Sequence, residues 1–333
     1  MTVQPATEMV DAHQHVLQIG CHDYFWLDPG SAIHRDYGLD DLQPLLGGVT
    51  GTVLVQAAPS AAETRFLVDV AAASRGLVRG VVGWVDLASA TAPNAIASLG
   101  EWSIIKGVRP MLGFIEDTGW ILRPQVQPAL KALAREGLRL DMPARPRHLP
   151  FLAELAQRHP ALAVVIDHGA KPAIARGEYA SWARDIAQVA RDTLVFCKLS
   201  GLATEASTGW DDEELRPYVD HLLECFGPNR LMWGSDWPVV DLAGGFTRWR
   251  DACLRLVPPS MHAPVMGETA RAFYGLDTSA EIARIVRTPA VRDKLTTQAA
   301  EPVGGTPEQF AAVMDGELKK WAAVIRQTGI KAE

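Results

Sequence analysis

The amino-acid sequence predicts an α/β protein built as a (β/α)8 barrel with a short helical extension at its C-terminus. Eight short segments rich in apolar and β-branched residues recur along the 333-residue chain. Between them lie segments with apolar residues three to four positions apart, which is the helical spacing. Strands that alternate with amphipathic helices form parallel βαβ units, and eight such units close a barrel. The same pattern leaves an open doubly wound sheet as the alternative.

The predicted strands are short, and each ends close to polar residues. The segment Ala163–Ile166 is apolar at every position, which is typical of a strand buried on both faces of a parallel sheet. In chain order the predicted strands are Glu8–His15, Thr50–Gln56, Val78–Val85, Ile104–Arg109, Leu138–Met142, Ala163–His168, Thr193–Leu199 and Leu231–Asp236.

The predicted helices lie between the strands and after the last of them. Their apolar positions would pack against the outside of the barrel. Between the strands they include Ala61–Ser74, Gln125–Arg135, Leu149–Arg158, Glu178–Arg191 and Glu213–Phe226. After the eighth strand, Phe246–Leu256 and Val265–Tyr274 are predicted as closing helices.

The sequence pattern changes beyond residue 276. Residues 277–333 contain neither histidine nor cysteine, and they carry eight acidic and eight basic residues. Thr306 followed by Pro307 is a typical helix start, because threonine caps a helix and proline fits its first turn. We therefore expect a catalytic barrel over residues 1–276 and a separate helical appendage over residues 277–333.

The composition indicates a globular protein that acts on a small molecule. Hydrophobic residues make up 48% of the chain and charged residues 21%, and the formal net charge is -7. This acidic balance disfavours nucleic acid and anionic membranes as partners, because both attract basic proteins. The four cysteines form no CxxC pair, and no signal peptide or stretch of about 18 apolar residues stands out. We expect a cytoplasmic protein, and a homo-oligomer stays open.

Side chains that can carry chemistry concentrate at the predicted strand ends, where barrel enzymes place their catalytic groups. His13 and His15 close the first strand, and they point to the same face because side chains alternate along a strand. His168 ends the sixth strand and Asp236 ends the eighth. Three imidazoles and a carboxylate suit either a zinc-type site or an acid/base site, and the sequence does not separate the two.

Four further residues are candidates for contact with a substrate. Arg109 and Lys198 are cations at strand ends that would anchor a substrate carboxylate or hydroxyl groups, with structural ion pairs as the alternative. Asp141 ends the fifth strand, and its alternatives are helix capping or an ion pair with a nearby arginine. Trp26 belongs to an aromatic cluster after the first strand, which would form either a wall of the pocket or part of the core.

Six motifs in the chain are specific to one family. They are Asp11-Ala12-His13-Gln14-His15, Phe25-Trp26-Leu27, Gly107-Val108-Arg109, Asp167-His168-Gly169-Ala170-Lys171-Pro172, Cys197-Lys198-Leu199-Ser200-Gly201-Leu202 and Trp233-Gly234-Ser235-Asp236-Trp237-Pro238. Through them, residues 9 to 276 resemble the amidohydrolase-related proteins that include L-fuconolactonase and 2-pyrone-4,6-dicarboxylate lactonase. The fold of the larger superfamily is a distorted (β/α)8 barrel with a metal centre at its strand ends, in agreement with the predicted barrel.

The resemblance implies hydrolysis of a cyclic ester, in a small carboxylated or sugar-acid lactone. Asp236 would act as the general base on water, while His13, His15 and His168 would polarise the lactone carbonyl, directly or through a metal. The implied cofactor is accordingly either none or one divalent ion, zinc by preference, held by these same four residues.

Other functions stay open at this stage. The chain departs from the common lactonase motifs at Pro110 and at Gly169-Ala170, so the particular lactone is not implied. A metal-dependent decarboxylase or amidase could use the same barrel. Parts of residues 281–331 resemble the C-terminal end of the solute receptors of tripartite tricarboxylate transporters, which suggests a non-enzymatic carboxylate-binding protein as a third hypothesis.

Overall fold

The computed structural model describes residues 8–276, and its centre is a sheet of eight parallel strands. Each strand is hydrogen-bonded to the next one in chain order. The strands are β1 (Met9–Gln14), β2 (Val49–Val55), β3 (Val78–Gly83), β4 (Ile105–Val108), β5 (Arg139–Met142), β6 (Val164–Ile166), β7 (Phe196–Leu199) and β8 (Leu231–Trp233).

The sheet closes where the chain leaves β8 and passes beside the end of β1. The amide of His15 donates a hydrogen bond to the carbonyl of Trp237 at 2.7 Å, and the amide of Asp236 donates to the carbonyl of His13 at 2.8 Å. The predicted (β/α)8 barrel is therefore confirmed, and the open doubly wound sheet was the wrong alternative.

The helices surround the barrel and bury their apolar side chains against it. Ser60 and Asp211 begin two of them by accepting hydrogen bonds from amides in the first turn, as capping residues do. The helices are α1 (Leu39–Leu42), α2 (Ala61–Ala73), α3 (Ala92–Gly100), α4 (Gln127–Glu136), α5 (Leu149–Arg158), α6 (Ala180–Asp192), α7 (Asp212–Phe226), α8 (Phe246–Leu256) and α9 (Thr269–Tyr274).

One connection departs from the regular barrel pattern, and one predicted helix is divided. Between β1 and β2 the only α-helix is the four-residue α1, so this unit lacks a full outer helix. The predicted helix Val265–Tyr274 is divided into a π-helical turn, Pro264–Glu268, and α9. The turn passes close to the start of β1: a Cβ on Gly267 would lie 2.1 Å from the carbonyl oxygen of Glu8. This close approach of two backbones accounts for a glycine at the turn.

Several strands end earlier than predicted, and the polar candidates follow the strand ends. β6 ends at Ile166 and β8 at Trp233, whereas His168 and Asp236 lie in the loops just beyond. Both adopt left-handed backbone conformations, with φ values of 57° and 58°, which no strand accommodates. These turns direct their side chains into the barrel mouth. The predicted appendage over residues 277–333 lies outside the described residues.

Candidate active site

The three predicted histidines and the predicted aspartate meet at the carboxyl end of the barrel. The Nε2 atoms of His13 and His15 are 3.2 Å apart. The Oδ1 atom of Asp236 lies 3.4 Å from Nε2 of His15, 3.7 Å from Nε2 of His13 and 3.8 Å from Nε2 of His168. All four side chains are nearly inaccessible to solvent. The structure therefore places these four predicted residues together, and their catalytic role stays a prediction.

Contacts on the far side of each ring hold the histidines in place. Nδ1 of His15 lies 2.8 Å from the carbonyl oxygen of Val55, and Nδ1 of His168 lies 2.8 Å from Oγ of Ser200. Nδ1 of His13 lies 3.0 Å from Nζ of Lys198. A ring fixed at Nδ1 presents its Nε2 in one direction, so all three Nε2 atoms face Asp236.

An ionic layer lies directly below the histidines. Nζ of Lys198 contacts Asp141 Oδ2 at 2.6 Å and Asp167 Oδ1 at 3.0 Å. The Nε atom of Arg109 donates to Asp167 Oδ2 at 2.7 Å, and the hydroxyl of Tyr274 donates to Asp141 Oδ2 at 2.6 Å. Two cations and two carboxylates thus neutralise each other where water is excluded, and each charge has hydrogen-bonding partners.

Burial and neighbouring charges set the protonation of this centre. Burial lowers the pKa of His168 to about 3. Burial and the charge of Lys198 hold the pKa of His13 well below its ordinary value. Burial opposes ionisation of Asp236, but His168, His15 and His13 outweigh it and lower the pKa of this carboxyl. At neutral pH the site accordingly holds an ionised Asp236 beside neutral His13 and His168 rings.

The contacts define a consistent chain of protons. The carbonyl of Val55 can only accept, so Nδ1–H of His15 donates to it, and a neutral His15 ring then presents the lone pair of Nε2. Nε2–H of His13 can donate to that lone pair, while Nδ1 of His13 accepts from the ammonium group of Lys198. The lysine is thereby linked to the mouth of the barrel through two imidazoles.

The site opens into a cavity of about 120 Å³. Trp26 forms part of its wall and is fixed by a hydrogen bond of 2.8 Å from Nε1 to the carbonyl oxygen of Ala57. Beside it in the aromatic cluster, Tyr24 is buried, whereas Phe25 is half exposed and packs against Phe114. The charged and titratable residues that line the cavity are His15, Arg109, Arg145, His168, Lys171 and Asp236.

The four predicted substrate contacts fall into two groups. Arg109 and Trp26 line the cavity, where a substrate would meet them. Lys198 and Asp141 are fully buried below the histidines and are absent from the cavity wall. These two residues form an ion pair with each other. A structural ion pair was the alternative for Lys198, and for Asp141 the partner is this lysine rather than a nearby arginine. A substrate-binding role for these four residues stays a prediction.

The sequence reasoning overlooked several residues of the site. Asp167 precedes His168 directly, and its position in the motif was the available signal. Lys171 belongs to the same motif and lines the cavity. Arg145, predicted only as a possible ion-pair partner of Asp141, also lines it. Glu63 lies on α2, and only an acidic residue in a helical first turn marked its position. No local pattern shows that these residues reach one site.

Gly201 leaves the space that the His168 ring occupies. A Cβ at this position would lie 2.7 Å from two atoms of the ring, whereas a Cβ on Gly209 would meet nothing within 4 Å. Both glycines have left-handed φ values, 60° and 82°, so alanine strains the backbone at either one. Gly209 is thus a matched control for Gly201.

We expect Gly201→Ala to lower the activity by about 100-fold, because it displaces the His168 ring by the order of an ångström. Gly209→Ala should keep the activity while losing similar stability. Steady-state kinetics and thermal unfolding of both variants provide the measurement, and equal activities would contradict the role given to this close contact.

Glu63 supports the wall of the site from below. Its carboxylate accepts hydrogen bonds from the amide of Ala57 at 3.1 Å and from that of Ala58 at 2.8 Å. The same stretch of chain supplies the carbonyls of Val55 and Ala57, which hold His15 and Trp26. Burial raises the pKa of Glu63 from 4.5 to about 7 despite these hydrogen bonds.

The contribution of Glu63 to stability should therefore fall as the pH rises from about 5 to 8. The folded chain holds the Glu63 proton more tightly than the unfolded chain does. The resulting stabilisation is complete below the pKa of the unfolded chain and is lost as the pH rises past the pKa of the folded chain. The total loss is on the order of 3 kcal/mol. We expect Glu63→Gln to remove this contribution to the pH dependence of the free energy of unfolding, which urea unfolding at several pH values measures. Glu154→Gln, on an exposed helix face, is the control. Identical slopes of the free energy of unfolding against pH for Glu63→Gln and the wild type would contradict a raised pKa at Glu63.

The inner atoms also fit a divalent metal ion. The Nε2 atoms of His13 and His15 and the Oδ1 atom of Asp236 lie 3.2 to 3.7 Å from one another, which suits a tetrahedral zinc site, where bonds of about 2.0–2.1 Å place the ligand atoms about 3.4 Å apart. His15 and His168 can present Nε2 lone pairs, because their Nδ1 atoms are engaged elsewhere. His13 presents its Nε2 lone pair only when its proton is on Nδ1. The Nδ1–H group then faces Asp167, 3.5 Å away, and Nδ1 no longer accepts a hydrogen bond from Lys198.

The fold and the site together define a barrel enzyme with its reactive groups at the carboxyl ends of the strands. Comparison with family models makes the assignment more specific. The chain belongs to the amidohydrolase family, whose model matches residues 10–276.

Two curated relatives are lactonases. The chain is 44% identical to the L-fucono-1,5-lactonase of Burkholderia ambifaria, over 81% of this chain and 97% of the relative. It is 31% identical to the L-fucono-1,5-lactonase of Burkholderia multivorans, over 82% of this chain and 97% of the relative. The predicted family, and the prediction that the chain is an enzyme, are confirmed.

Solved structures agree with this assignment. An amidohydrolase from Burkholderia multivorans with bound zinc is 30% identical and superposes with a TM-score of 0.75, covering 80% of this chain and 99% of the other. A putative 2-pyrone-4,6-dicarboxylic acid hydrolase from Pseudomonas putida, 24% identical with a TM-score of 0.66 and coverage of 82% and 99%, shares the fold. Within residues 8–276 no helix has the length and apolar character needed to cross a membrane.

Proposed function

We propose that this protein hydrolyses the ring ester of a sugar-acid lactone. One observation carries the proposal: an ionised carboxylate, Asp236, faces a small cavity among imidazoles that are held in fixed orientations. Such an arrangement can deprotonate water and stabilise a developing oxyanion, which are the two requirements of ester hydrolysis. The two lactonase relatives support the cyclic ester as the substrate.

Asp236 acts as the general base in the first step. Its carboxylate takes a proton from a water molecule in the cavity, and the water oxygen attacks the lactone carbonyl carbon. The lowered pKa of this carboxyl keeps it ionised at neutral pH, which is the form that can accept a proton from water.

Donors around the cavity stabilise the tetrahedral oxyanion. With Nδ1 of His168 accepting from the Ser200 hydroxyl, its Nε2–H points into the cavity, and the guanidinium of Arg109 lies in the same wall. The intermediate collapses when the bond between the carbonyl carbon and the ring oxygen breaks. The ring oxygen takes the proton back from Asp236, which leaves an open-chain hydroxy acid and the free carboxylate of the enzyme.

A divalent ion would add Lewis-acid polarisation of the carbonyl when bound. His15 and Asp236 would hold it together with His13, once the Nδ1 contact of His13 changes, and His168, 3.8 Å from Asp236, would be the fourth ligand. We expect chelator-treated protein to bind one zinc ion per chain in a calorimetric titration, and His15→Ala to bind it at least about tenfold more weakly, because one ligand is lost. His262→Ala, which alters a histidine remote from this site, should bind zinc normally. Equal affinities for His15→Ala and the wild type would place the ion elsewhere.

Proton release tests the function directly. The protein is assayed with L-fucono-1,5-lactone, other aldonolactones and 2-pyrone-4,6-dicarboxylate in a weakly buffered indicator solution. Turnover of a lactone above the spontaneous rate supports the proposal. No lactone turnover, together with ammonia release from an amide or CO2 release from an aromatic acid, would overturn it in favour of an amidase or a decarboxylase.

A further inference from the structure

Two cations form the boundary between the catalytic cavity and a second, outer cleft. The cavity at Asp236 has a volume of about 120 Å³, and the outer cleft has about 470 Å³. Arg145 and Lys171 line both spaces. A cavity of this size is small for a whole ligand, since typical sites measure roughly 300–1,000 Å³. The part of a substrate that extends beyond the reacting ring would therefore pass these two side chains.

The outer cleft carries an excess of positive charge. Two of its cations have carboxylate partners, because Nζ of Lys171 lies 3.2 Å from Glu205 and Nε of Arg176 lies 2.8 Å from Glu178. No carboxylate among residues 8–276 pairs with the other two, Arg145 and Arg147.

Arg145 is the cation that the fold leaves without a partner. It is partly buried, and its guanidinium group has no hydrogen-bond acceptor within the described part of the chain. Arg147, by comparison, reaches the carbonyl of Gly113 at 3.4 Å and is exposed. A partly buried guanidinium without an acceptor loses hydrogen bonds to water and gains none from the protein. An anionic ligand would supply the missing hydrogen bonds.

The backbone around Lys171 is strained in a way that keeps this residue at the boundary. His168, Ala170 and Lys171 all have left-handed φ values, 57°, 62° and 49°, and none is glycine. The amide of Lys171 donates to the carbonyl of His168 at 2.8 Å and closes the turn. Left-handed conformations of ordinary residues are costly and concentrate at ligand-contacting segments. The turn thus places a lysine beside the cavity that holds the reactive carboxylate.

We propose that the substrate carries a carboxylate group away from its scissile ester, and that Arg145 and Lys171 bind this group at the boundary between cavity and cleft. The inference rests on the proposed lactone hydrolysis and specifies its substrate class: the lactone of a sugar diacid. Arg145 supplies a planar fork of donors that matches a carboxylate, and Lys171 supplies a second positive charge on the same wall.

The test compares two lactones that differ in charge. D-Glucaro-1,4-lactone carries a free carboxylate, and D-glucono-1,4-lactone is neutral and has the same ring configuration. We expect Arg145→Gln to lower kcat/KM for the charged lactone by about tenfold or more and to change that for the neutral one by less than about threefold. Arg145→Lys should recover part of the loss. Arg184→Gln, an exposed arginine paired with Asp185 on α6, is the control and should leave both values unchanged.

Binding of the glucarate dianion separates the failure of this inference from the failure of the proposed function. Calorimetry measures its affinity without turnover, and we expect Arg145→Gln and Lys171→Gln to weaken it by at least about tenfold. If no lactone is hydrolysed while Arg145→Gln still weakens glucarate binding, the proposed function is wrong and the anion site stands. If lactones are hydrolysed but Arg145→Gln lowers kcat/KM for both equally, or leaves glucarate binding unchanged, the anion site is overturned.

Discussion

Asp236→Asn is expected to reduce kcat for lactone hydrolysis by about 10²–10⁴-fold, the usual contribution of a general base. The amide is isosteric with the carboxylate and cannot accept a proton from water. Asparagine also tolerates the left-handed backbone that Asp236 adopts, at φ 58°, so the loop should keep its shape. Steady-state kinetics on the best lactone of the panel give the measurement.

The fold of the Asp236→Asn variant should be intact. Thermal unfolding is expected near the wild-type temperature, because this carboxylate faces the cavity and does not belong to the ionic layer around Lys198. Asp241→Asn, a change in the following turn, serves as a control that alters neither the cavity wall nor the histidine contacts. Wild-type kcat in Asp236→Asn would show that another group activates the water.

Lys198→Met is expected to destabilise the fold by about 3–5 kcal/mol, the cost of removing one partner from a buried ion pair. The ammonium group contacts Asp141 and Asp167, and all three side chains are fully buried. Methionine fills the space of the lysine stem, so the loss reports chiefly on two carboxylates without their cation. Urea unfolding at pH 7 measures the change in the free energy of unfolding.

Lys171→Met provides the matched comparison. This lysine also contacts a carboxylate, Glu205, at 3.2 Å, but both side chains are about a quarter exposed. Water screens that pair, so its removal should cost at most about 1 kcal/mol. A loss of similar size in both variants would contradict the view that the buried layer, and not lysine pairing in general, supports the floor of the site.

The barrel followed from the sequence because its signal is local and repeated. Each βαβ unit after the first carries its own apolar strand and amphipathic helix, and eight parallel strands can be counted without knowledge of distant contacts. Strand boundaries were less accurate. β6 and β8 end before His168 and Asp236, because the left-handed turns at these residues depend on packing against neighbouring loops.

The sequence by itself determined which four residues meet at the barrel mouth. His13 and His15 lie two positions apart on β1, and the carboxyl ends of parallel strands share one edge, so the loops after β6 and β8 must bring His168 and Asp236 to the same place.

Only the tertiary structure decided the roles of the two lysines. Lys198 was expected beside the substrate, yet it lies inside β7 below the histidines, while Lys171, beyond the end of β6, reaches the cavity. Alternation gives the face of a strand to which a side chain points. Its depth along the barrel and its charged partners depend on contacts between segments far apart in the chain, such as Lys198 with Asp141. For this reason, the ion pairs in the core and the guanidinium of Arg145 without an acceptor could not be predicted from the sequence and were found only in the structure.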